Sequence, residues 1–155
     1  MTRTIATLHL ADEDRTHDLA RRLAGILGPG DVVLLSGQIG AGKTTFARAL
    51  IRAATGNPQE DVPSPTFTLV QTYPTPQGDI WHADLYRLSH PDEVVELGLD
   101  TAMDQAICLI EWPDRLGDLA PENALHITLR AAADGHHAVV AGDARWARRL
   151  EVILG

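Results

Sequence analysis

The sequence predicts an α/β chain of three layers with a mixed sheet, parallel at its centre, and three observations carry that expectation. Val32-Val33-Leu34-Leu35 is a continuous apolar run, the pattern of a strand covered on both faces. A glycine-rich turn follows it directly, and then helical periodicity with Phe46 and Leu50 inward. Apolar strands and helical stretches alternate along the rest of the chain, which is how helices come to cover both faces of a sheet.

Element by element, Thr4 to Leu10 alternates like an edge strand. Asp12 to Leu27 then carries Leu19, Leu23, Ile26 and Leu27 at helical spacing before Gly28-Pro29-Gly30 stops it. The helix after the glycine turn runs from about Lys43 to Ala54. Gly56 to Pro65 (GNPQEDVPSP) has no periodicity and is longer than most connections in a compact domain, so it reads as a functional or poorly ordered loop. Thr66 to Tyr73 and Asp79 to Leu85 read as two strands around the turn Pro74 to Gly78. Short helical stretches at Pro91 to Leu97 and near Asp100 lead to the apolar strand Ala106 to Ile110. Leu125-Ile127-Leu129 alternates as another strand, paired with Ala138 to Val140 across Asp134-Gly135, and Asp143 caps a final helix.

With 155 residues, 45% of them hydrophobic, residues 1–155 can bury one ordinary core without disulfides or metal staples, so a single domain is expected. No apolar run approaches the roughly 18 residues of a membrane span. Met1 to Leu10 lacks a basic segment before an apolar block. The expectation is a soluble, cytoplasmic chain. Cys108 is the one cysteine, which fits a reducing compartment, and its apolar neighbours suggest a buried structural thiol. A formal charge of −8 disfavours autonomous nucleic-acid binding. Arg145, Arg148 and Arg149, beside Trp146 and Leu150, read as a solvated helix face. His136 and His137, adjacent in a strand, point apart and read as surface histidines.

Gly37-Gln38-Ile39-Gly40-Ala41-Gly42-Lys43-Thr44 satisfies G-x-x-x-x-G-K-[ST], with a buried strand before it and a helix after it. The chain is therefore expected to be a three-layer P-loop NTPase-like domain with a mixed, centrally parallel sheet. Glycines let the backbone curl so that successive N–H groups point at one anion, and the helix N-terminus adds its dipole. Lys43 is expected to reach the β- and γ-phosphates and Thr44 to ligate Mg²⁺, and Thr45 is counted with the residues that bind the nucleotide. Lys43 is also the only lysine among thirteen basic side chains, at a place where a compact ammonium suits the loop better than a planar fork. The Asn-Lys-x-Asp motif that reads guanine needs a second lysine, so ATP is favoured over GTP. Thr16, on the inward stripe of the first helix, either faces the base or is a threonine at the edge of the core.

Two acids can serve the phosphate site, because segments leaving the carboxyl ends of neighbouring parallel strands enter one crevice. Glu111 follows the strand Ala106 to Ile110 directly, where a carboxylate holds Mg²⁺ or orients a water; the alternative is a solvated strand-end acid. Asp84 ends the strand beginning near Asp79 and is the second candidate; the alternative is a salt bridge to Arg87. His82 and Asp84 have a His-x-Asp spacing, but no further metal ligand accompanies them. Pro65 holds Ser64 extended, and Thr66 then offers a hydroxyl that senses metal or γ-phosphate, or merely starts a strand.

Four segments, Gly37 to Thr45, Ser64 to Val70 (SPTFTLV), His82 to Leu88 (HADLYRL) and Ile110 to Pro113 (IEWP), together resemble the bacterial TsaE family and occur in its order. The resemblance runs from about Thr16 to Leu129. Gln38 departs from it, since members usually carry Asp there. The resemblance implies the ATPase component of the machinery that makes threonylcarbamoyladenosine (t6A) at position 37 of tRNA, with TsaB and TsaD as partners and tRNA met through that complex. It implies Lys43 on phosphate, Thr44 and Glu111 on Mg²⁺, Asp84 and Thr66 in the catalytic neighbourhood, and Trp112 near the nucleotide. Two other functions compete with it. A small-molecule P-loop kinase needs an arginine-bearing lid and an acceptor pocket, and no insertion here looks like either. A nucleotide-gated binding module with negligible turnover has the same sequence signature as a slow ATPase.

Overall fold

Alternation along one central strand sets the layers. In the computed structural model, which describes residues 2–154, Val33 and Leu35 of β2 (Val32–Ser36) face one apolar cluster, whereas Val32 and Leu34 face another. Side chains two apart share a face, so this uninterrupted apolar run supplies both cores. The first cluster is closed by three helices, α1 (Glu13–Ala24), α2 (Lys43–Thr55) and α5 (Ala144–Leu154), with Leu23, Phe46, Leu50 and Trp146 almost wholly buried. Burying each such side chain is worth about 1.5–3 kcal/mol. The second cluster is closed by the short helices α3 (Asp92–Glu96) and α4 (Leu99–Gln105) and by Leu116 of a 3₁₀ segment, Pro113–Leu119. That last segment, set by the proline after Trp112, is absent from the expected elements.

The remaining strands are β1 (Arg3–Leu10), β3 (Val70–Tyr73), β4 (Ile80–Asp84), β5 (Ile107–Glu111), β6 (Leu125–Ala132) and β7 (Gly135–Gly142). They form one sheet in the order β1-β7-β6-β2-β5-β4-β3. The pairs β6·β2, β2·β5 and β5·β4 are parallel, and β1·β7, β7·β6 and β3·β4 are antiparallel. The mixed, centrally parallel sheet is thus as expected. The carboxyl ends of β2, β4 and β5 come out side by side, with Leu35 opposite Glu111 and Asp84 opposite Glu111.

Several local expectations are corrected. Thr66 to Leu69 do not join a strand: Pro65–Thr68 form a turn and Leu69 takes a left-handed φ of 69°. Pairing therefore begins at Val70 opposite Ala83, while the Asp84 N–H donates to the Leu69 carbonyl at 2.9 Å. The first helix ends at Ala24 rather than Leu27, because Gly25 caps it. The loop from Gly56 to Pro65 is tied down along its length: Arg48 Nε donates to the Val62 carbonyl and Arg52 Nε to that of Glu60, each at 3.0 Å, and Val62 is buried in the first core. Arg149 is not part of a solvated face. It stacks on Trp146 at 4.2 Å and pairs through both terminal nitrogens with Asp31, and that pairing raises its pKa further above the ordinary arginine value. Arg145 and Arg148 are exposed. Cys108 is buried as expected, and burial pushes its thiol up to about 12. Asp143 Oδ1 accepts from the Trp146 N–H at 3.0 Å, the expected cap of α5. No helix among the described residues is long and apolar enough to cross a membrane.

Candidate nucleotide site

The turn between β2 and α2 curls because its glycines adopt conformations other residues avoid. Gly37, Gly40 and Gly42 have φ of 142°, 83° and 99°. At Gly37 the reason is also steric, since a Cβ would stand 2.4 Å from the Leu129 carbonyl oxygen of β6. The loop is thus seated on the neighbouring strand. Gly42 caps α2, no side chain caps its first turn and no acidic residue stands there. The backbone donors of a 13-residue helix and its positive dipole end are therefore available to an anion.

Lys43, on the first turn of α2, is 5% exposed. Its ammonium donates to the carbonyls of Gly37 and Gln38 at 2.5 and 3.0 Å and lies 4.1 Å from the centre of the Trp112 ring. Burial pulls its pKa below the ordinary lysine value, and the carboxylates of Glu111 and Asp84 partly oppose that. Trp112 is held there by an uncommon backbone, φ 58° and ψ 54°, a region that costs a bulky residue of order 1 kcal/mol or more. Tyr86 packs on the same indole with ring centroids 4.8 Å apart.

Two hydroxyl–carboxylate pairs face this lysine. Thr44 Oγ1 donates to Glu111 Oε1 at 3.0 Å, and the other oxygen, Oε2, is 2.6 Å from His82 Nε2. Glu111 and His82 are 1% and 0% exposed, so Glu111 is not a solvated strand-end acid. The His82 tautomer that fits donates from Nε2, leaving Nδ1, which has no protein partner, as a bare lone pair rather than an orphaned N–H. Thr66 Oγ1 donates to Asp84 Oδ2 at 3.1 Å and is 2.8 Å from Ser64 Oγ, while Asp84 Oδ1 accepts from the Tyr86 N–H at 3.0 Å. Asp84 makes no salt bridge to Arg87, whose guanidinium lies over the exposed Phe67 ring instead.

One cavity of about 420 Å³ gathers most of the predicted residues: Ile39, Gly40, Gly42, Lys43, Thr44, Thr45, Thr66, Asp84, Glu111 and Trp112, with Tyr86. Across the loop, a second cleft of about 340 Å³ is lined by Thr16, Thr45, Gly40, Ala41, Gly42 and His136 among others. Gly37 and Gln38 stand outside both, beside Trp112 and Pro113. Thr16 is therefore apart from the two carboxylates but on the same loop, and its hydroxyl also reaches the Asp12 carbonyl at 3.5 Å. Three contributors were not foreseen: His82 as partner of Glu111, Tyr86 against Trp112, and His136 in the second cleft. The signal for His82 was present, because residues two apart in a strand share a face and Asp84 had already been assigned to the crevice. Tyr86 had no such signal, as it lies beyond the strand.

The chain is similar in sequence and in fold to known proteins. Residues 10–139 match the family model described as threonylcarbamoyl adenosine biosynthesis protein TsaE. The chain is similar to the tRNA threonylcarbamoyladenosine biosynthesis protein TsaE of Rickettsia bellii, 41% identical over 125 residues that span 81% of this chain and 86% of that one. It is 35% identical over 122 residues to the Bacillus subtilis protein of the same name, spanning 78% and 75%. The crystal structure of Bacillus subtilis YdiB superposes with a TM-score of 0.80 at 26% identity, covering 98% of this chain and 95% of that one. With the fold, the glycine loop and the family model in agreement over most of its length, the chain belongs to the TsaE family of tRNA threonylcarbamoyladenosine biosynthesis proteins.

Proposed function

We propose that this member of the TsaE family is a slow, partner-stimulated ATPase. It binds ATP and Mg²⁺ at the glycine loop and supports t6A formation together with TsaB and TsaD, meeting tRNA through that complex. We read residues 1–155 as a single cytoplasmic domain. The observation that carries the ATPase assignment is the convergence of Lys43, Thr44, Glu111, Asp84 and Thr66 on one cavity at the carboxyl ends of parallel strands. Uncapped α2 donors and a single buried ammonium suit a polyphosphate. The second cleft, with Thr16 and Thr45, suits the nucleoside.

The donors also suit a hard cation, since Thr44, Glu111 and Asp84 offer only oxygen. Thr44 and Glu111 would hold Mg²⁺, which when bound neutralises charge on the β- and γ-phosphates. Lys43 neutralises the same oxygens once it leaves the Gly37 and Gln38 carbonyls. Glu111, positioned by His82, orients a water, and Asp84 holds the Thr66 hydroxyl toward the cavity.

Slow turnover follows from two resting contacts. Lys43 is engaged with its own loop, and Thr44 and Glu111 are engaged with each other. Thr66 depends on a segment strapped to α2 by Arg48 and Arg52, so a partner that docks on this segment adjusts the site without new chemistry. Phe67 and Ile39, 82% and 75% exposed beside the cavity mouth, offer apolar contact to such a partner. Steady-state phosphate release is the test, comparing the isolated chain, the chain with the TsaB–TsaD pair, and the chain with tRNA alone. Stimulation by the protein pair is expected. Strong stimulation by tRNA alone, or none by the pair, would overturn the proposal.

A further inference from the structure

We propose that His9, Asp134 and His137 form a second cation site, for a divalent transition metal of the zinc class, at the outer end of the sheet. His9 and His137 are direct cross-strand partners in the antiparallel β1·β7 pair, with rings stacked at 5.0 Å and 27°. Asp134 lies in the turn between β6 and β7. His9 Nε2 is 3.4 Å from Asp134 Oδ2, and His137 Nε2 is 3.8 Å from Asp134 Oδ1. One ligand atom from each residue falls within 4.8 Å of the others. Zinc bonds of about 2.0–2.1 Å at tetrahedral angles place ligand atoms roughly 3.3 Å apart, so closing the set takes shifts of order 1 Å in side chains that are 37–69% exposed.

The backbone brings these residues together independently of the side chains. At Gly135, φ is 124° and a Cβ would meet the Leu10 and Ala11 carbonyl oxygens at 2.5 and 2.9 Å. The turn is therefore pressed onto the end of β1, which sets Asp134 beside His9, and the Asp134 carbonyl accepts from His9 Nε2 at 2.9 Å. To bind the ion, His9 would carry its N–H on Nδ1 and offer the Nε2 lone pair, and the released Asp134 carbonyl is open to water. Two imidazoles and a carboxylate favour borderline metals, whereas the oxygen-only donors of the phosphate site favour Mg²⁺. The two sites thus sort cations by donor chemistry. Exposure leaves a fourth position for water. The bound ion would also fix the turn that carries Gly135 and His136 into the wall of the second cleft.

The test is calorimetric titration of the chelator-stripped chain with Zn²⁺, in excess Mg²⁺ and without nucleotide, beside Co²⁺ absorption spectra. One Zn²⁺ per chain is expected, with intense visible Co²⁺ bands of a four-coordinate site. His9→Ala and His137→Ala should each weaken Zn²⁺ binding by at least about tenfold, the loss that removing even an outer partner of a metal produces. Both positions are half-exposed, and melting curves without metal check that the variants fold. His9→Gln is the milder substitution should the alanine variant fail. Three results overturn the proposal: no one-to-one binding, binding undiminished in these variants, or weak six-coordinate Co²⁺ bands.

Discussion

Replacing Lys43 by alanine is expected to weaken magnesium-nucleotide binding by about two orders of magnitude, and the geometry of the loop sets that figure. The ammonium donates to two neutral carbonyls, Gly37 at 2.5 Å and Gln38 at 3.0 Å, and stacks on Trp112 at 4.1 Å. Binding a polyphosphate exchanges those acceptors for ionised oxygens, so the number of hydrogen bonds is kept and a charge–charge attraction is added. That attraction is about 4 kcal/mol for unit charges 4 Å apart at an effective dielectric constant of 20. Leaving the indole costs about 0.5–2 kcal/mol. The surplus, about 2–3.5 kcal/mol, corresponds to roughly 30- to 400-fold in Kd. Calorimetry with Mg-ADP on the parent and the Lys43→Ala chain measures it, with melting curves to show that the variant folds. Lys43→Arg should not restore affinity, because a planar fork cannot fold back into the curl as a compact ammonium does. Affinity of Lys43→Ala within about threefold of the parent, under 1 kcal/mol, would refute the phosphate role of this residue.

Glu111→Gln should leave nucleotide binding measurable while lowering turnover by about 10²-fold or more, since the amide keeps the shape and loses the charge that orients water or holds metal. Turnover retained in this variant moves that role to Asp84. Gly37→Ala should destabilise the fold by at least about 2 kcal/mol, because the added methyl meets backbone rather than a movable side chain. A chemical-denaturation midpoint equal to that of the parent would show that the loop is not seated on β6.

The central strands were legible because burial on both faces leaves an uninterrupted apolar run, as in Val32 to Leu35 and Ala106 to Ile110. The glycine loop was legible because its backbone requirement is written into residue types. Less legible were features decided by contacts between distant segments. Thr66 to Leu69 carry strand-forming residues, yet Leu69 is turned left-handed where its carbonyl accepts from Asp84. Arg149 is one of three similar arginines, and only the position of Asp31, 118 residues away, distinguishes it. His82 was noted for its spacing to Asp84, but its partner, Glu111, is supplied by the next strand. The stretch from Gly56 to Pro65 lacks periodicity because it is held by arginines of α2 to its carbonyls rather than by a repeating ladder.

The seating of Gly37 against Leu129 has a consequence for synthesis on the ribosome. The glycine loop emerges early, but the strand it rests on is made some ninety residues later, roughly 5–20 s at ordinary elongation rates. β6 in turn is flanked by β7, which pairs with the first strand, so that His9 waits for a partner turn 125 positions downstream. Loop closure over such a span is slow to be rewarded. Nascent chains halted before β6 should therefore carry the whole phosphate motif without the surface that shapes it, and with the alternating edge of β1 uncovered. Competence of the glycine loop for an anion is therefore expected only once the hairpin of β6 and β7 has been made and can pair with β1.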